Sequence, residues 1–394
     1  MKLSTHITSI IGAGSDGWDL FRKARAMAES GRPVIELTIG EHDIRTDPVI
    51  LDALDAATRA GHTGYSPIAG SLALRETIAA RIQAQSGVPT GADNILVVAG
   101  GQFGLYTAHM AALDHGDRGL YIDPYYATYT GTIRAVGGVP VTAQAFADDG
   151  FQPRADVIDA AISRHHPKSL LINSPNNPTG VIYTRETLEG IAHVVTDHDV
   201  WLISDEVYDT QVWNGAHLSP RALPDMAERT MVIGSLSKSH AMTGSRLGWI
   251  CAPVEAVAVM HDLCTHASYG IPGFIQQAGL FALNLGPAFE EKIAAPFRRR
   301  RAIALELAAK QDVVKVTPSA GAMYLFFDIR ATGMSGDDFA DALLTERGIA
   351  VMPGESFGPA ASGHIRVALT VDDAIFTEAV AILLDFAESR ARSI

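Results

Sequence analysis

The stretch Thr230–Lys238 reads TMVIGSLSK. Its first five residues show no polar alternation, the pattern of a strand covered on both faces. It then turns abruptly into two serines around a leucine, and a lysine. Six other runs have the same texture: Ile95–Ala99 (ILVVA), Gly119–Asp123 (GLYID), Val139–Gln144, Ser169–Asn173 (SLLIN), Val200–Ser204 (VWLIS) and Leu247–Ala252. Segments of helical period separate several of them. The pattern predicts an α/β fold whose large domain is a mostly parallel seven-stranded sheet covered by helices on both faces. In such sheets ligands bind beyond the carboxyl ends of the strands. The polar, Gly- and Pro-rich clusters AGGQ, DPYY, NSPNNPTG, SDEVY and SLSK fall there.

The texture changes after about residue 285. A long helical stretch leads into short strands (MYLFFDI, HIRVALT) and a final amphipathic helix over Asp372–Arg392, with Ile375, Phe376, Ala379, Val380, Leu383 and Phe386 on its apolar face. The expected organisation is a segment 1–45 that packs with a smaller α+β domain at 286–394, and a large domain at 46–285. At 394 residues, two or three domains are the prior.

The formal charge is −13, from 31 Lys plus Arg against 44 Asp plus Glu, which argues against a phosphate-backbone partner. The single basic run, Arg298–Arg301, reads as a solvated helix face or an interface. Two cysteines, Cys251 and Cys264, without a CxxC spacing give no disulfide framework, and no metal is expected. No run reaches the roughly 18 apolar residues of a membrane span. The first residues lack a signal-peptide core. These features predict a cytoplasmic protein with no membrane partner.

Gly12–Gly17 (GAGSDG) matches GxGxxG, with Ile7–Ile11 as a strand before it, Trp18–Glu29 as a helix after it and Glu36 at ribose distance. The strand is short and half polar, Asp16 would face a pyrophosphate, and no second strand–helix unit follows. The sequence favours a flexible turn over a nucleotide site.

The chemistry is expected around Lys238. Two hydroxyls flank its amine, and Arg246 lies eight residues on. A nucleophilic lysine needs a dry pocket or nearby positive charge, and two Ser hydroxyls with a guanidinium suit a phosphate monoester. Together they describe a pyridoxal phosphate site; a surface Lys near a surface Arg is the plainer alternative for these residues alone. Asp205, past the apolar run VWLIS, needs a cationic partner, which a pyridinium nitrogen would supply, or else caps a helix. Tyr208 and Asn177 could reach a phenolic oxygen. Two prolines and a glycine make the loop NSPNNPTG a rigid turn that suits cis bonds. Gly100, Gly101 and Gln102 open a helix whose N–H groups can meet phosphate. An aromatic in Pro124-Tyr125-Tyr126 could stack on a ring.

From about Val34 to its end the chain resembles the class I/II aminotransferases, pyridoxal-phosphate enzymes of fold type I. The blocks IGEHD, GYSPIAGSLALRETIA, VVAGGQ, PYYATY, NSPNNPTG, ISDEVY, SLSKSHAMTGSRLGW, GAMYLFFDI and PGESFGPAASGHIRVAL occur in family order. The resemblance implies a ping-pong transfer of an amino group from an L-amino acid to a 2-oxo acid. Lys238 would form a Schiff base with pyridoxal phosphate and then carry the proton. Asp205 would hold the ring nitrogen, with Asn177 and Tyr208 on the ring oxygen. Gly101, Gln102, Ser235, Ser237 and Arg246 would hold the phosphate, and Tyr126 would stack. Arg366 would clamp the substrate carboxylate, with the backbone near Gly40 closing on it. Tyr65 would reach the phosphate of a neighbouring subunit, so a homodimer is implied.

His42 stands where the family usually has Pro, Tyr126 where Trp is frequent, and Ser245 where a bulky residue is common, which either opens the pocket or marks a subfamily. SLSKSHAMTG and GESFGPAASGHIR resemble the arginine–pyruvate branch. A cationic donor would want a carboxylate, for which Glu41 and Asp43 are candidates. The rival activities are a pyridoxal-phosphate β-lyase on the same residues and a nicotinamide oxidoreductase using GAGSDG.

Overall fold

The computed structural model describes residues 1–12 and 18–392. A short strand, β1 (Ile35–Leu37), comes first. The seven expected strands follow as β2 (Ile95–Val98), β3 (Arg118–Asp123), β4 (Val139–Gln144), β5 (Ser169–Asn173), β6 (Trp201–Asp205), β7 (Thr230–Ser235) and β8 (Gly248–Cys251). They form one sheet in the order β2-β8-β7-β6-β5-β3-β4. Neighbours from β4 through β7 are parallel, and β8 runs antiparallel to both β7 and β2.

Adjacent residues of the central strands serve opposite faces, as the pleat requires. Leu120, Leu170 and Leu202 pack on one side with Ile158 and Leu188 of the helices Ala155–His165 and Arg185–Asp197. Tyr121, Leu171 and Ile203 pack on the other with Leu105 and Met260 of the helices Gly100–Ala112 and Val254–Ala267. Two-sided burial is why these strands carry no polar alternation; each fully buried Leu or Ile contributes roughly 1.5–3 kcal/mol.

A second sheet holds β1 with β9 (Lys315–Val316), β10 (Tyr324–Asp328), β11 (Ile349–Pro353) and β12 (His364–Ala368), in the order β1-β11-β12-β10-β9. β1 joins it parallel to β11. The final helix is Asp373–Ala391, its N-terminus capped by Asp372, whose carboxylate accepts the Ala374 N–H at 2.9 Å. Phe376, Ala379, Val380, Leu383 and Phe386 are buried, but Ile375 is 44% exposed. It lies one position, about 100° of helix, off that stripe.

Two further expectations need correction. Residues Thr5–Thr8 form one helical turn where the motif calls for a strand over Ile7–Ile11, and Ile7 and Ile11 are exposed, with no strand beside them among the described residues. Glu36, the would-be ribose partner, sits in the other sheet, ion-paired with Arg25 at 2.9 Å. Ala13–Gly17 of the glycine motif lie outside the described residues. The basic run is not simply solvated. Arg298 and Arg299 face out, whereas Arg300 is buried on the inward stripe Phe297, Arg300, Ala304 of the helix Pro287–Ala308. Its guanidinium holds Asp43 at 2.7 and 3.1 Å, Asp373 at 2.7 Å and the Leu369 carbonyl at 2.9 Å.

Among the described residues no helix is long and apolar enough to cross a membrane, and both cysteines are free and buried.

Candidate active site

The parallel strands β5, β6 and β7 end side by side, so their last residues, Asn173, Asp205 and Ser235, rim one cavity of about 310 Å³. β6 extends one residue further than the apolar run suggested. Asp205 therefore pairs with Asn173 on one side and Ile233 on the other. The Asn173 amide closes this edge by donating to the Asp205 carbonyl at 2.9 Å.

Twelve of the thirteen residues singled out from sequence line this cavity: Gly40, Gly101, Gln102, Tyr126, Asn177 and Asp205, then Tyr208, Ser235, Ser237, Lys238, Arg246 and Arg366. Tyr65 does not. Its ring is 92% exposed, edge-on to Tyr269 at 5.0 Å.

Lys238 follows β7 on a one-turn helix, Leu236–Ser239, whose cap is Ser235: that hydroxyl accepts the Ser237 N–H at 3.1 Å and donates to the Ser237 hydroxyl at 2.9 Å. The Lys238 ammonium bonds the Gly40 carbonyl. Burial pushes its pKa down to about 8, Arg366 and Arg246 adding to the shift while Glu41 and Asp205 oppose it. Asp205 moves the other way: burial raises it to about 6, and the Tyr129 hydroxyl, donating at 2.7 Å, pulls it back. A buried amine near its neutral form beside a carboxylate short of a cation is the pair of perturbed groups that marks catalytic chemistry.

One wall is a cradle for an anion. Gly100, at φ +75°, begins the helix Gly100–Ala112, and a Cβ there would lie 2.4 Å from the Arg246 guanidinium. Only glycine leaves room. Arg246 is held by the carbonyls of Thr243 at 2.8 Å and Ala99 at 3.2 Å. Helix N–H groups, the two serine hydroxyls and this guanidinium converge as a phosphate requires. Gln102 donates through its side chain to the Thr132 hydroxyl at 2.8 Å and accepts from the Thr128 hydroxyl at 2.9 Å.

Opposite stands Arg366 on β12, 1% exposed. It donates to the Asn177 side-chain amide oxygen Oδ1 at 2.8 Å and to the Thr38 backbone carbonyl, and packs against the rings of Tyr324 and Phe357, 4.4 and 4.5 Å from their centres. Its Nε has no partner.

Two tyrosines went unassigned in the sequence. Tyr129, the first residue of the helix Tyr129–Ala135, is the strong donor to Asp205, and no local spacing signals it. Tyr324 bonds the Tyr208 hydroxyl at 3.1 Å and belongs to the quoted block GAMYLFFDI. Of the two carboxylates suggested for a cationic donor, Asp43 is consumed by Arg300, whereas Glu41 lines the cavity and accepts from the Thr243 hydroxyl at 3.1 Å. Ser245 does not appear among the described lining residues, so a wider pocket does not follow from it. A wider chamber of about 1180 Å³ adjoins the cavity through Trp18, Gln102 and Arg246.

Such a cavity asks for one ligand that offers an aldehyde to the amine, a basic ring nitrogen to the carboxylate and a phosphate to the cradle. Pyridoxal phosphate answers all three, and the seven-stranded α/β fold places the molecule among the fold type I enzymes that use it. Residues 32–383 match the family model for aminotransferase class I and II, and the chain belongs to that family. It is 38% identical to an arginine–pyruvate transaminase, AruH, of Pseudomonas aeruginosa over 94% of both chains. It is 34% identical to the aspartate/prephenate aminotransferase of Thermus thermophilus, over 89% of this chain and 90% of that one. The solved aspartate aminotransferase from Thermus thermophilus with maleate superimposes with a TM-score of 0.90 at 31% identity, over 98% of this chain and all of that one. The protein is a pyridoxal-phosphate-dependent aminotransferase acting on amino acids and 2-oxo acids. Neither the lyase nor the nicotinamide reading is favoured.

Proposed function

We propose that this aminotransferase takes its amino group from an L-amino acid with a non-acidic side chain, basic donors foremost, and passes it to a small 2-oxo acid such as pyruvate. One observation carries the reading. Once Arg246 is given to phosphate and Arg366 to the substrate α-carboxylate, the cations among the described cavity residues are spent, because Lys238 is the nucleophile. A dicarboxylate donor would bury its second charge unpaired, at a cost of several kcal/mol. The remaining charge there is negative on balance: Glu41 lines the cavity and Asp337, Asp338 and Glu355 the chamber beside it, where the one further cation among the described lining residues, Lys23, is paired with Asp341. The likeness to the arginine–pyruvate transaminase supports the same direction.

The residues divide the work as follows. Lys238 is the nucleophile and then the base within reach of the substrate Cα. Asp205 would keep the ring nitrogen protonated, and Asn177 and Tyr208 would serve the ring oxygen. Gly101, Gln102, Ser235, Ser237 and Arg246 would hold the phosphate, Tyr126 would stack on the ring, and Arg366 with the Gly40 backbone would hold the carboxylate. The cofactor supplies the electron sink. Exposed Tyr65 serves the site of a second copy, so the working unit is a cytoplasmic homodimer. Residues 46–285 form the cofactor-holding domain, and 286–394 with the segment 1–45 form the smaller one, as the pairing of β1 with β11 supports.

The test is a donor panel (arginine, lysine, methionine, aspartate) against pyruvate, oxaloacetate and 2-oxoglutarate. The expected order puts arginine and lysine first by kcat/KM and aspartate last; a preference for aspartate overturns the reading. Mixing Lys238→Ala with Tyr65→Phe chains should restore one intact site per dimer, and no recovery overturns the shared site.

A further inference from the structure

Tyr324 touches three separate parts of the site. It opens β10, pairs with Ala368 of β12 and is 3% exposed. Its ring faces the Arg366 guanidinium at 4.4 Å. Its hydroxyl lies 3.1 Å from that of Tyr208, the two rings meeting edge-on at 5.9 Å. The same hydroxyl presses on Gly40, where a Cβ would fall 1.7 Å from it, and Gly40 is the residue whose carbonyl holds the Lys238 ammonium.

We propose that Tyr324 is a positioning residue that couples the carboxylate clamp Arg366 to the hydroxyl Tyr208 turns toward the cofactor, with its ring and its hydroxyl performing separable parts of that work.

The ring's part follows from desolvation. Arg366 has given up its water, buried at 1% exposure with its guanidinium over the rings of both Tyr324 and Phe357. A guanidinium packed on two aromatic rings keeps its plane fixed and its fork of donors aimed, which bidentate carboxylate binding demands. Amino-acid and 2-oxo-acid substrates both carry that carboxylate. Loss of the ring therefore weakens every substrate alike, whatever its side chain.

The hydroxyl's part follows from proton counting. A tyrosine hydroxyl has one proton to donate. If Tyr208 spends it on Tyr324, it cannot donate into the cavity. Tyr324 must therefore be the donor of the 3.1 Å bond whenever Tyr208 donates to a ring oxygen, and a hydroxyl that accepts a bond becomes a better donor. Removing the Tyr324 hydroxyl leaves Tyr208 free to rotate and a poorer donor. The imine nitrogen of the loaded protein then loses the stabilised ring oxygen that held its proton affinity down.

The test uses the loaded protein and separates the two parts. For Tyr324→Phe, the pH midpoint of the visible-absorbance change should rise by about half a unit or more, with KM for donor and acceptor changed by less than about threefold. Tyr208→Phe should abolish that increment, so that the double variant has the midpoint of Tyr208→Phe alone. For Tyr324→Leu, KM for amino and oxo acids and the dissociation constant of an unreactive carboxylate inhibitor should rise together, by about tenfold. An unmoved midpoint in Tyr324→Phe, or an increment that persists without the Tyr208 hydroxyl, overturns the hydroxyl's part. A change confined to one substrate in Tyr324→Leu overturns the ring's. Tyr324→Trp, which keeps an aromatic face, stands in should the leucine variant not fold; it should hold KM near that of the wild type, and a tenfold rise there counts against the ring's part.

Discussion

Replacing Tyr129 by Phe removes one oxygen and keeps the ring. That oxygen donates to Asp205 Oδ2 at 2.7 Å, while the other carboxylate oxygen has only the Val207 N–H at 3.4 Å. Both side chains are buried, Tyr129 at 2% and Asp205 at 4% exposure, so water cannot replace the bond. A hydrogen bond to a charged group contributes about 1.5–3 kcal/mol. At 1.36 kcal/mol per unit, its loss raises the carboxyl by roughly 1–2 units. Asp205 already stands at about 6, and it would move to about 7–8. Cofactor binding needs the anion opposite the ring nitrogen. As pH falls, protonation of Asp205 therefore ends binding, and in Tyr129→Phe it does so 1–2 units earlier, so affinity near pH 7 drops by about two- to tenfold. Fluorescence titration of the unloaded protein with pyridoxal phosphate from pH 5 to 9 measures this acid limb. A limb within 0.3 unit (about a twofold change) of the wild type would refute the assignment of Tyr129 as the group that keeps Asp205 charged.

Three other outcomes follow from the same geometry. Lys238, lowered to about 8 by burial, should take up pyridoxal phosphate faster as pH rises through 8 and level off above it; a rate flat from pH 7 to 9 in stopped-flow absorbance would contradict the dry-pocket reading. Gly40→Ala drives a methyl group into the Tyr324 hydroxyl and displaces the loop that holds Lys238, so kcat/KM should fall by more than about tenfold, and an unchanged value would show that the loop adapts. His42 is buried against Phe297 with neither ring nitrogen bonded, and burial lowers it to about 3. The unfolded chain, at its ordinary value near 6.5, binds the proton first as pH falls, so stability is lost from about 6.5 downward; at pH 5 this costs about 2 kcal/mol. His42→Leu should shrink the difference in urea-unfolding free energy between pH 7 and pH 5 by that amount, and an unaltered difference would exonerate His42.

What could be read from the sequence and what could not divide along a physical line. The strands were legible because two-sided burial writes itself as uninterrupted apolar residues, and β4 and β5 match their expected bounds residue for residue. The polar clusters were legible because a parallel sheet delivers its strand ends to one edge. Tyr129 and Tyr324 were not, since each works on a partner 76 or 116 residues away, and no local spacing reports such a distance. Arg300 misled for a related reason. A run of four like charges looks solvated, yet helical rotation turns one of them inward, and only the fold supplies Asp43 and Asp373 to meet it. The GAGSDG motif, which the sequence already disfavours as a nucleotide site, loses its ribose partner as well: Glu36 lies on β1, in the other sheet.

The two sheets hold different halves of the chemistry. Asp205, Ser235, Lys238 and Arg246 belong to β6, β7 and the connection from β7 to β8, so on the proposed assignment the cofactor's nitrogen, aldehyde and phosphate would all be met by the seven-stranded sheet. Arg366 and Tyr324 belong to β12 and β10 of the five-stranded sheet, and on the same assignment they would meet the substrate. The residues 38–43 join them. Thr38 accepts from Arg366, Gly40 accepts from Lys238, and Asp43 is locked to Arg300 of the long helix Pro287–Ala308. Any shift of the second sheet against the first must therefore alter the grip on the carboxylate while leaving the grip on phosphate and ring nitrogen intact. Cutting the lock with Arg300→Met tests this division: it should raise KM for donor and acceptor together and leave cofactor affinity within about twofold, whereas a parallel loss of cofactor would mean that the two sheets do not act as separate holders.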